Sequence, residues 1–336
     1  MNKVVNIYRG SNVENSHLGH IAVVDSNGKL LYSYGDPYRM TYARSSIKPL
    51  QAMPIIETGT ANRFQFSEAD LAVCCASHNG EKKHREQVLS ILKRLGRNES
   101  VLKCGTHIPY DEESYIQLIR NSEKLTPLYN NCSGKHAGMV ATAIHMNEDV
   151  DTYYQLEHPV QQRILKTISK MTKYPIDEIK IGIDGCGVPS FQIPLKNLAL
   201  GFARLVSHEK LETQSMKDAA EKIVDAMVTF PEMIGGKNRY CTELMQAFDK
   251  RIVGKEGAEA VYCIGDKKTG IGIAIKIEDG MKRPIYAVIN SVLEQLKIGL
   301  NQELDRLQHY SNPLIKNMKN EVVGSIKPEF QLQKRF

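Results

Sequence analysis

The sequence contains no apolar run near the roughly 20 residues that a membrane-spanning helix needs; its longest, such as Ile21 to Val24, are a few residues long. The N-terminal stretch MNKVVNIYRG has no apolar signal core, so a cytoplasmic protein with no membrane partner is expected. RNA-recognition, zinc-finger and KH signatures are also missing. The net charge of +6 is modest, and half of the excess sits in the tail, where Lys316, Lys319, Lys327, Lys334 and Arg335 face only Glu321 and Glu329. That tail reads as a solvated edge, and no nucleic-acid partner is expected. Seven cysteines, an odd number without a secretory signal, argue against a disulfide framework and for reduced thiols, a metal site or a nucleophile. No internal repeat, low-complexity tract or clear linker divides the chain.

What is present is the composition of a globular protein: 336 residues, 42% apolar and 24% charged. Ile21 to Asp25 and Leu30 to Tyr34 read as strands of a hairpin turned at Ser26-Asn27-Gly28, where Asn-Gly supplies positive φ. Helical periodicity follows over Ser45 to Glu57, Ser67 to Cys75 and Glu81 to Leu95, then over Lys135 to His145, Pro159 to Met171, Pro194 to Val206 and Met216 to Met227. Ser67-Glu68-Ala69-Asp70 carries a helix-start pattern. After Gly257 the period changes: Ala260 to Ile264 and Gly270 to Ile277 read as strands, Arg283 to Leu296 as a helix and Val322 to Ile326 as a last strand. Strands at both chain ends with helices between them predict a mixed α+β fold whose single antiparallel sheet is flanked by helices. The sheet lobe is expected from about 1–40 and 255–336, and a mostly helical lobe from about 41–254.

Four clusters could carry chemistry. A Ser-x-x-Lys pair on a helix sets a hydroxyl one turn from an amine, where a desolvated lysine can take the serine proton. The pattern occurs at Ser26/Lys29, Ser45/Lys48, Ser90/Lys93, Ser100/Lys103 and Ser207/Lys210. Only Ser45/Lys48 enters an apolar helix, which would bury the lysine and depress its pKa. The second cluster, Ala76-Ser77-His78-Asn79-Gly80-Glu81, lies between two helices, where Ser77 and Asn79 could equally cap the second. The third, Asn130-Asn131-Cys132-Ser133-Gly134-Lys135-His136, opens a helix and sets a thiol at its positive end. In the fourth, Asp184-Gly185-Cys186-Gly187-Val188-Pro189, a cysteine between two glycines suits a metal ligand or reactive thiol better than a core position. Cys74, Cys75, Cys104 and Cys263 lie in apolar stretches and read as packed thiols, with Cys241 open.

Together, in this order, the four clusters resemble the L-asparaginase II family of the rhizobial, thermolabile type. The likeness extends to Val13-Glu14-Asn15-Ser16-His17 and Asn320-Glu321-Val322-Val323-Gly324, so it spans nearly the whole chain. It implies a fold similar to the serine β-lactamases and glutaminases, a homodimer, and hydrolysis of L-asparagine to L-aspartate and ammonia. It also implies two Ser-Lys pairs, Ser45 with Lys48 and Ser77 with a distant lysine that Lys255 matches best. Zinc is implied at Cys132, Lys135 and Cys186, although a lysine ligand must first lose its proton. A serine oxygen would attack the amide carbon, a neutral lysine would take its proton and later protonate ammonia, and water would hydrolyse the acyl-enzyme. Ser45, whose lysine is local, is expected to attack, with Ser77 passing protons or orienting water. Arg44 suits the substrate's α-carboxylate and Asp184 its α-ammonium, with His78 and Asn79 as further substrate contacts.

Two other readings compete. Ser45/Lys48, Tyr129-Asn130-Asn131 and Lys268-Thr269-Gly270 match the three elements of β-lactamases and penicillin-binding enzymes, with Lys268 then facing Ser77. In a non-enzymatic reading, Cys132 and Cys186 hold zinc for structure alone. A glutaminase-like amidase differs from the asparaginase only in substrate length.

Overall fold

The computed structural model describes residues 2–335, among which twelve strands make two sheets. The strands are β1 (Lys3–Arg9), β2 (Asn12–Val24), β3 (Leu30–Tyr34), β4 (Met40–Tyr42), β5 (Lys180–Ile183), β6 (Pro189–Pro194), β7 (Ile252–Gly257), β8 (Val261–Asp266), β9 (Ile271–Ile277), β10 (Leu314–Lys316), β11 (Val322–Pro328) and β12 (Gln333–Lys334). The large sheet runs β10-β11-β1-β2-β9-β8-β7, with β3 on β2 and β12 on β3. Every pairing is antiparallel, and all the strands come from the two ends of the chain, as the sequence pattern predicts. The hairpin turn is built as expected: Gly28 takes φ 90°, and Asp25 Oδ1 accepts from the Asn27 and Lys29 N–H groups at 2.9 Å.

β7, β8 and nearly all of β9 are buried, because helices cover them. The apolar face of Leu195–Val206 packs on β8, β9 and β2, and Ile285–Gln295 on β9 and β11. Around Lys48–Glu57 the helices Glu68–Cys74, Ser133–His145, Pro159–Thr172 and Gln214–Thr229 complete the core. Ser67 and Asp70 form the expected capping box.

Two features escape the periodicity. The middle of the chain contains a small sheet, β4-β6-β5, with no alternating signal in its short strands. β7 carries Gly254-Lys255-Glu256-Gly257, a run without strand periodicity that tertiary burial makes a strand.

The small sheet has a functional consequence. β4 and β5 both lie antiparallel to β6, so both run toward the same end. Arg44 and Asp184 follow directly from those ends and meet there. Close approaches bring the remaining pieces in. A Cβ on Gly134 would meet Val73 O at 2.1 Å, so glycine lets the helix that starts at Ser133 press against Glu68–Cys74. A Cβ on Gly257 would meet Ala43 O at 2.8 Å, so glycine also lets β7 close on the turn before Ser45.

Candidate active site

Ser45 lies in a short 3-10 turn, Arg44–Ile47, that leads into the helix Lys48–Glu57. Arg44 holds φ 49°, a left-handed conformation unusual for a residue with a side chain, and this sharp corner presents Ser45. Ser45 is half-buried and lines a cleft with Arg44, Tyr110, Asn131, Cys132, Asp184 and Cys186. Behind it Lys48 is 1% exposed. The local pair expected from sequence is not hydrogen-bonded, because Lys48 Nζ reaches instead across to Ser77 Oγ at 3.1 Å and to Ala76 O.

Ser77 is therefore the meeting point. Its helix ends at Cys74, and its backbone N–H donates to Ile234 O at 2.9 Å. Lys255, 178 residues away, is 1% exposed and donates from Nζ to Ser77 Oγ at 2.9 Å and to Glu256 O at 2.7 Å. Burial, with the Lys48 charge adding to it, pushes the Lys255 ammonium down to about 8, against the opposing influence of Cys241. A lysine so placed can be neutral in mildly basic water and act as a base.

The third and fourth clusters also meet. Lys135 Nζ donates to Cys186 Sγ at 3.0 Å. The Cys132 thiol donates to Asn131 Oδ1 at 3.1 Å; despite burial, the neighbouring Cys132 and Lys135 hold the Cys186 thiol down at about 5, while Cys132 is pushed up to about 12. Lys135 is buried, yet Cys186, Cys132 and Asp184 raise its pKa. Arg44 Nε donates to Asp184 Oδ1 at 2.9 Å, and Lys135 and Arg44 outweigh burial to hold that carboxyl below its usual range. Among the described residues no three His, Cys, Asp or Glu side chains are grouped to hold a metal. Two sulfurs and one amine do converge, a donor set whose softness suits zinc once Lys135 gives up its proton.

His78 and Asn79 do not reach the cleft. His78 is wholly buried: its Nδ1 accepts from the Gly80 N–H at 3.1 Å, so Nε2 carries the hydrogen and meets Ser133 Oγ at 2.9 Å. Burial, and then the stacked His84, keep it uncharged by lowering its pKa well below the usual value. Asn79 is 5% exposed; Arg239 Nη1 donates to its Oδ1 at 2.7 Å and its own Nδ2 donates to Lys237 O at 3.0 Å. Through these contacts both support the Ser77 loop. Neither Ser77 nor Asn79 caps the following helix, whose N-cap is Glu81 without a side-chain bond. Lys268 lies in the exposed β8–β9 turn, away from Ser77. All seven cysteines are free and buried. Cys241, open from sequence, accepts from Glu256 N–H at 3.2 Å and Tyr262 OH at 3.3 Å.

Sequence reasoning missed Tyr110, His107, Arg239 and Glu256. His107 Nε2 accepts from the Asn131 N–H at 2.8 Å, and Tyr110 rims the cleft. None belongs to a motif; only proximity in the fold marks them.

Buried lysines converging on one serine beside an open cleft are the equipment of a hydrolase. The sequence narrows this class. A family profile, L-asparaginase II, matches residues 5–328, and the chain belongs to that family. No curated protein matches it. Among solved structures it is similar to a β-lactamase from Sphaerobacter thermophilus, with 10% identity over 84% of this chain and 93% of that one and a TM-score of 0.41. It is also similar to a D-alanine carboxypeptidase from Burkholderia cenocepacia, with 14% identity, 87% and 92% coverage and a TM-score of 0.39.

Proposed function

We propose that this protein hydrolyses the side-chain amide of L-asparagine to L-aspartate and ammonia through an acyl-enzyme on Ser45. The observation that carries the reading is Ser77 Oγ held between Lys48 and Lys255 directly behind the cleft that exposes Ser45. Ser45 attacks because it is the serine a substrate can touch; Ser77 is 6% exposed. Lys48 takes the Ser45 proton, and Ser77 joins it to Lys255 so that the proton can pass between the amines and return to the leaving ammonia. Catalytic hydrogen bonds are often long before substrate binds, so a Ser45–Lys48 bond that forms only then fits this scheme. Arg44 uses Nε on Asp184 and has Nη1 3.9 Å from the exposed Glu259 carboxylate, a loose pair that the α-carboxylate can replace on the fork; Asp184, ionised, takes the α-ammonium.

Cys132, Lys135 and Cys186 are the residues that would hold zinc, which when bound would tie the two loops together at the rim of the cleft and could offer an open coordination position. A homodimer in the cytoplasm, with L-asparagine as its small-molecule partner, completes the proposal. Ammonia release from asparagine and glutamine, set against ring opening of a penicillin-type β-lactam, tests it. Release from asparagine is expected, and none from any side-chain amide overturns the reading. After rapid quench, an aspartyl adduct of about +115 Da, the acyl mass expected of serine attack, belongs on the peptide carrying Ser45. The same adduct on the Ser77 peptide reverses the order of the two serines.

A further inference from the structure

Arg239 belongs to none of the four clusters, yet it joins the two segments that build the Ser77–Lys255 contact. Its side chain is 18% exposed. Nη1 donates to Asn79 Oδ1 at 2.7 Å, two residues past Ser77, and Nη2 donates to Glu256 Oε1 at 3.4 Å, one residue past Lys255. Glu256 is fixed in turn, with its carboxylate also receiving Lys282 Nζ and the Tyr286 hydroxyl, the latter at 2.6 Å. Against burial, Arg239 and Lys282 hold that carboxyl down at about 2. On the other side, the Ser77 and Asn79 N–H groups donate to Ile234 O and Gly235 O at 2.9 Å, so the segment that ends in Arg239 already runs along the Ser77 loop. The Arg239 guanidinium lies 5.7 Å from the centre of the Tyr110 ring at the cleft rim.

Ser45 and Lys48 share one helical corner, whereas Ser77 and Lys255 must be brought together through 178 residues of chain. Nothing local holds that second pair. We propose that Arg239 is a positioning residue whose guanidinium, anchored on Glu256 and gripping Asn79, holds the Ser77 hydroxyl on the Lys255 amine. The inference rests on the Ser-Lys amidase reading. A fork suits the task because separate nitrogens of one planar group hold the two acceptors in a fixed relative geometry, whereas a lysine has a single nitrogen to share between them.

The groups that face the Lys255 amine are Lys48 from the helix Lys48–Glu57, Cys75 after Glu68–Cys74, Cys241 from Tyr240–Ala247, Cys263 on β8, and Glu256 with Arg239. Of the charged ones, Arg239 and Glu256 act on Lys255 in opposite directions. That opposition gives the test. R239Q should lower kcat about 10- to 100-fold with KM within about threefold, the cost of a small misplacement of reacting groups. With one cation gone, the basic limb of its kcat profile should move up by about 0.5 pH unit or more. E256Q should lower kcat too but move the limb down. R239K keeps the charge and loses the span, so its kcat falls while the limb stays.

A merely structural residue lowers melting temperature and active fraction and moves no limb. Folded R239Q with wild-type kcat, or with an unmoved limb, overturns the proposal. If R239Q does not fold, R239K with wild-type kcat does so instead. Titration of Lys255 by NMR in protein carrying 15N-lysine, wild type against R239Q, reads the same shift without turnover. A wild type that releases no ammonia from any amide ends the amidase reading, and the Lys255 titration then still decides this one.

Discussion

Two buried lysines in this molecule, Lys255 and Lys135, behave in opposite ways. Lys255, at 1% exposure, loses its hold on the proton and sits at about 8. Lys135, at 4%, holds it more tightly than a free lysine does. Burial is nearly the same for both, so desolvation cannot be what separates them. The neighbours decide: Lys255 shares Ser77 with another amine, while Lys135 faces the Cys186 sulfur and, beyond it, the Asp184 carboxylate. A base needs the first setting and an ion-pair anchor the second. The site therefore divides its labour by the sign of charge around each amine.

Removing members of the Lys255 side should have the largest effect. Ser45→Ala and Lys255→Met should each lower kcat by about 1000-fold or more, and Lys48→Ala should match them, because these groups act as a unit. The double variant Ser45→Ala/Lys48→Ala should be no worse than either alone. Circular dichroism and melting curves check that each protein remains folded; near-wild-type ammonia release by any single variant takes its residue out of the mechanism.

Next comes pH. With Lys255 titrating near 8, turnover needs the neutral amine, so kcat should climb through that region and level off above it. The sign for stability is the same. Between about 8 and the ordinary lysine value the unfolded chain binds a proton that the folded one does not, so this group makes unfolding costlier as pH rises across that window. A kcat profile that is flat between pH 7 and 9 breaks the contrast between the two lysines.

The Lys135 side should respond to metal. Protein purified without chelator should contain about one zinc per chain, and Cys132→Ser and Cys186→Ser should each lower that content 10-fold or more, the loss expected when a ligand is removed. KM for asparagine should rise in step, with kcat less affected. Elemental analysis that finds no zinc in the untreated protein ends the metal proposal and leaves Lys135 as the partner of a thiolate.

How far the sequence reaches can be judged from particular residues. Lys48 was traceable to a spacing and an apolar helix, and its burial follows from that helix. Its partner was not traceable, since which serine the amine turns to depends on where the helix Glu68–Cys74 ends relative to it, a tertiary fact. β7 was hidden because its two glycines and two charges carry no strand pattern; only the cover of Tyr240–Ala247 and the turn at Ala43 makes it a buried strand. His78 was placed in the cleft because a polar run between helices looks accessible, whereas the ring stacks on His84 inside. Arg239 gave no signal, since it lies in no motif and no periodic stretch.

The smallest effect should come from Lys268, the lysine that the β-lactamase pattern would put opposite Ser77. It lies in the exposed turn between β8 and β9, its backbone N–H bound to Asp266 Oδ1 at 3.2 Å. The neighbouring Thr269 hydroxyl donates to Asp266 Oδ2 at 2.7 Å, and Arg251 Nε pairs with Asp266 at 2.8 Å. The Lys268-Thr269-Gly270 run thus serves to close a hairpin. A solvated charge on such a turn contributes little to stability or to a distant reaction. Lys268→Ala should therefore leave kcat and KM within about twofold of wild type and the melting temperature almost unmoved, as for surface substitutions generally. A fall of kcat comparable to that of Lys255→Met would transfer the role of base to Lys268 and require the turn to close over Ser77 during turnover. Measured side by side in one pH series, the two variants decide which lysine the reaction uses.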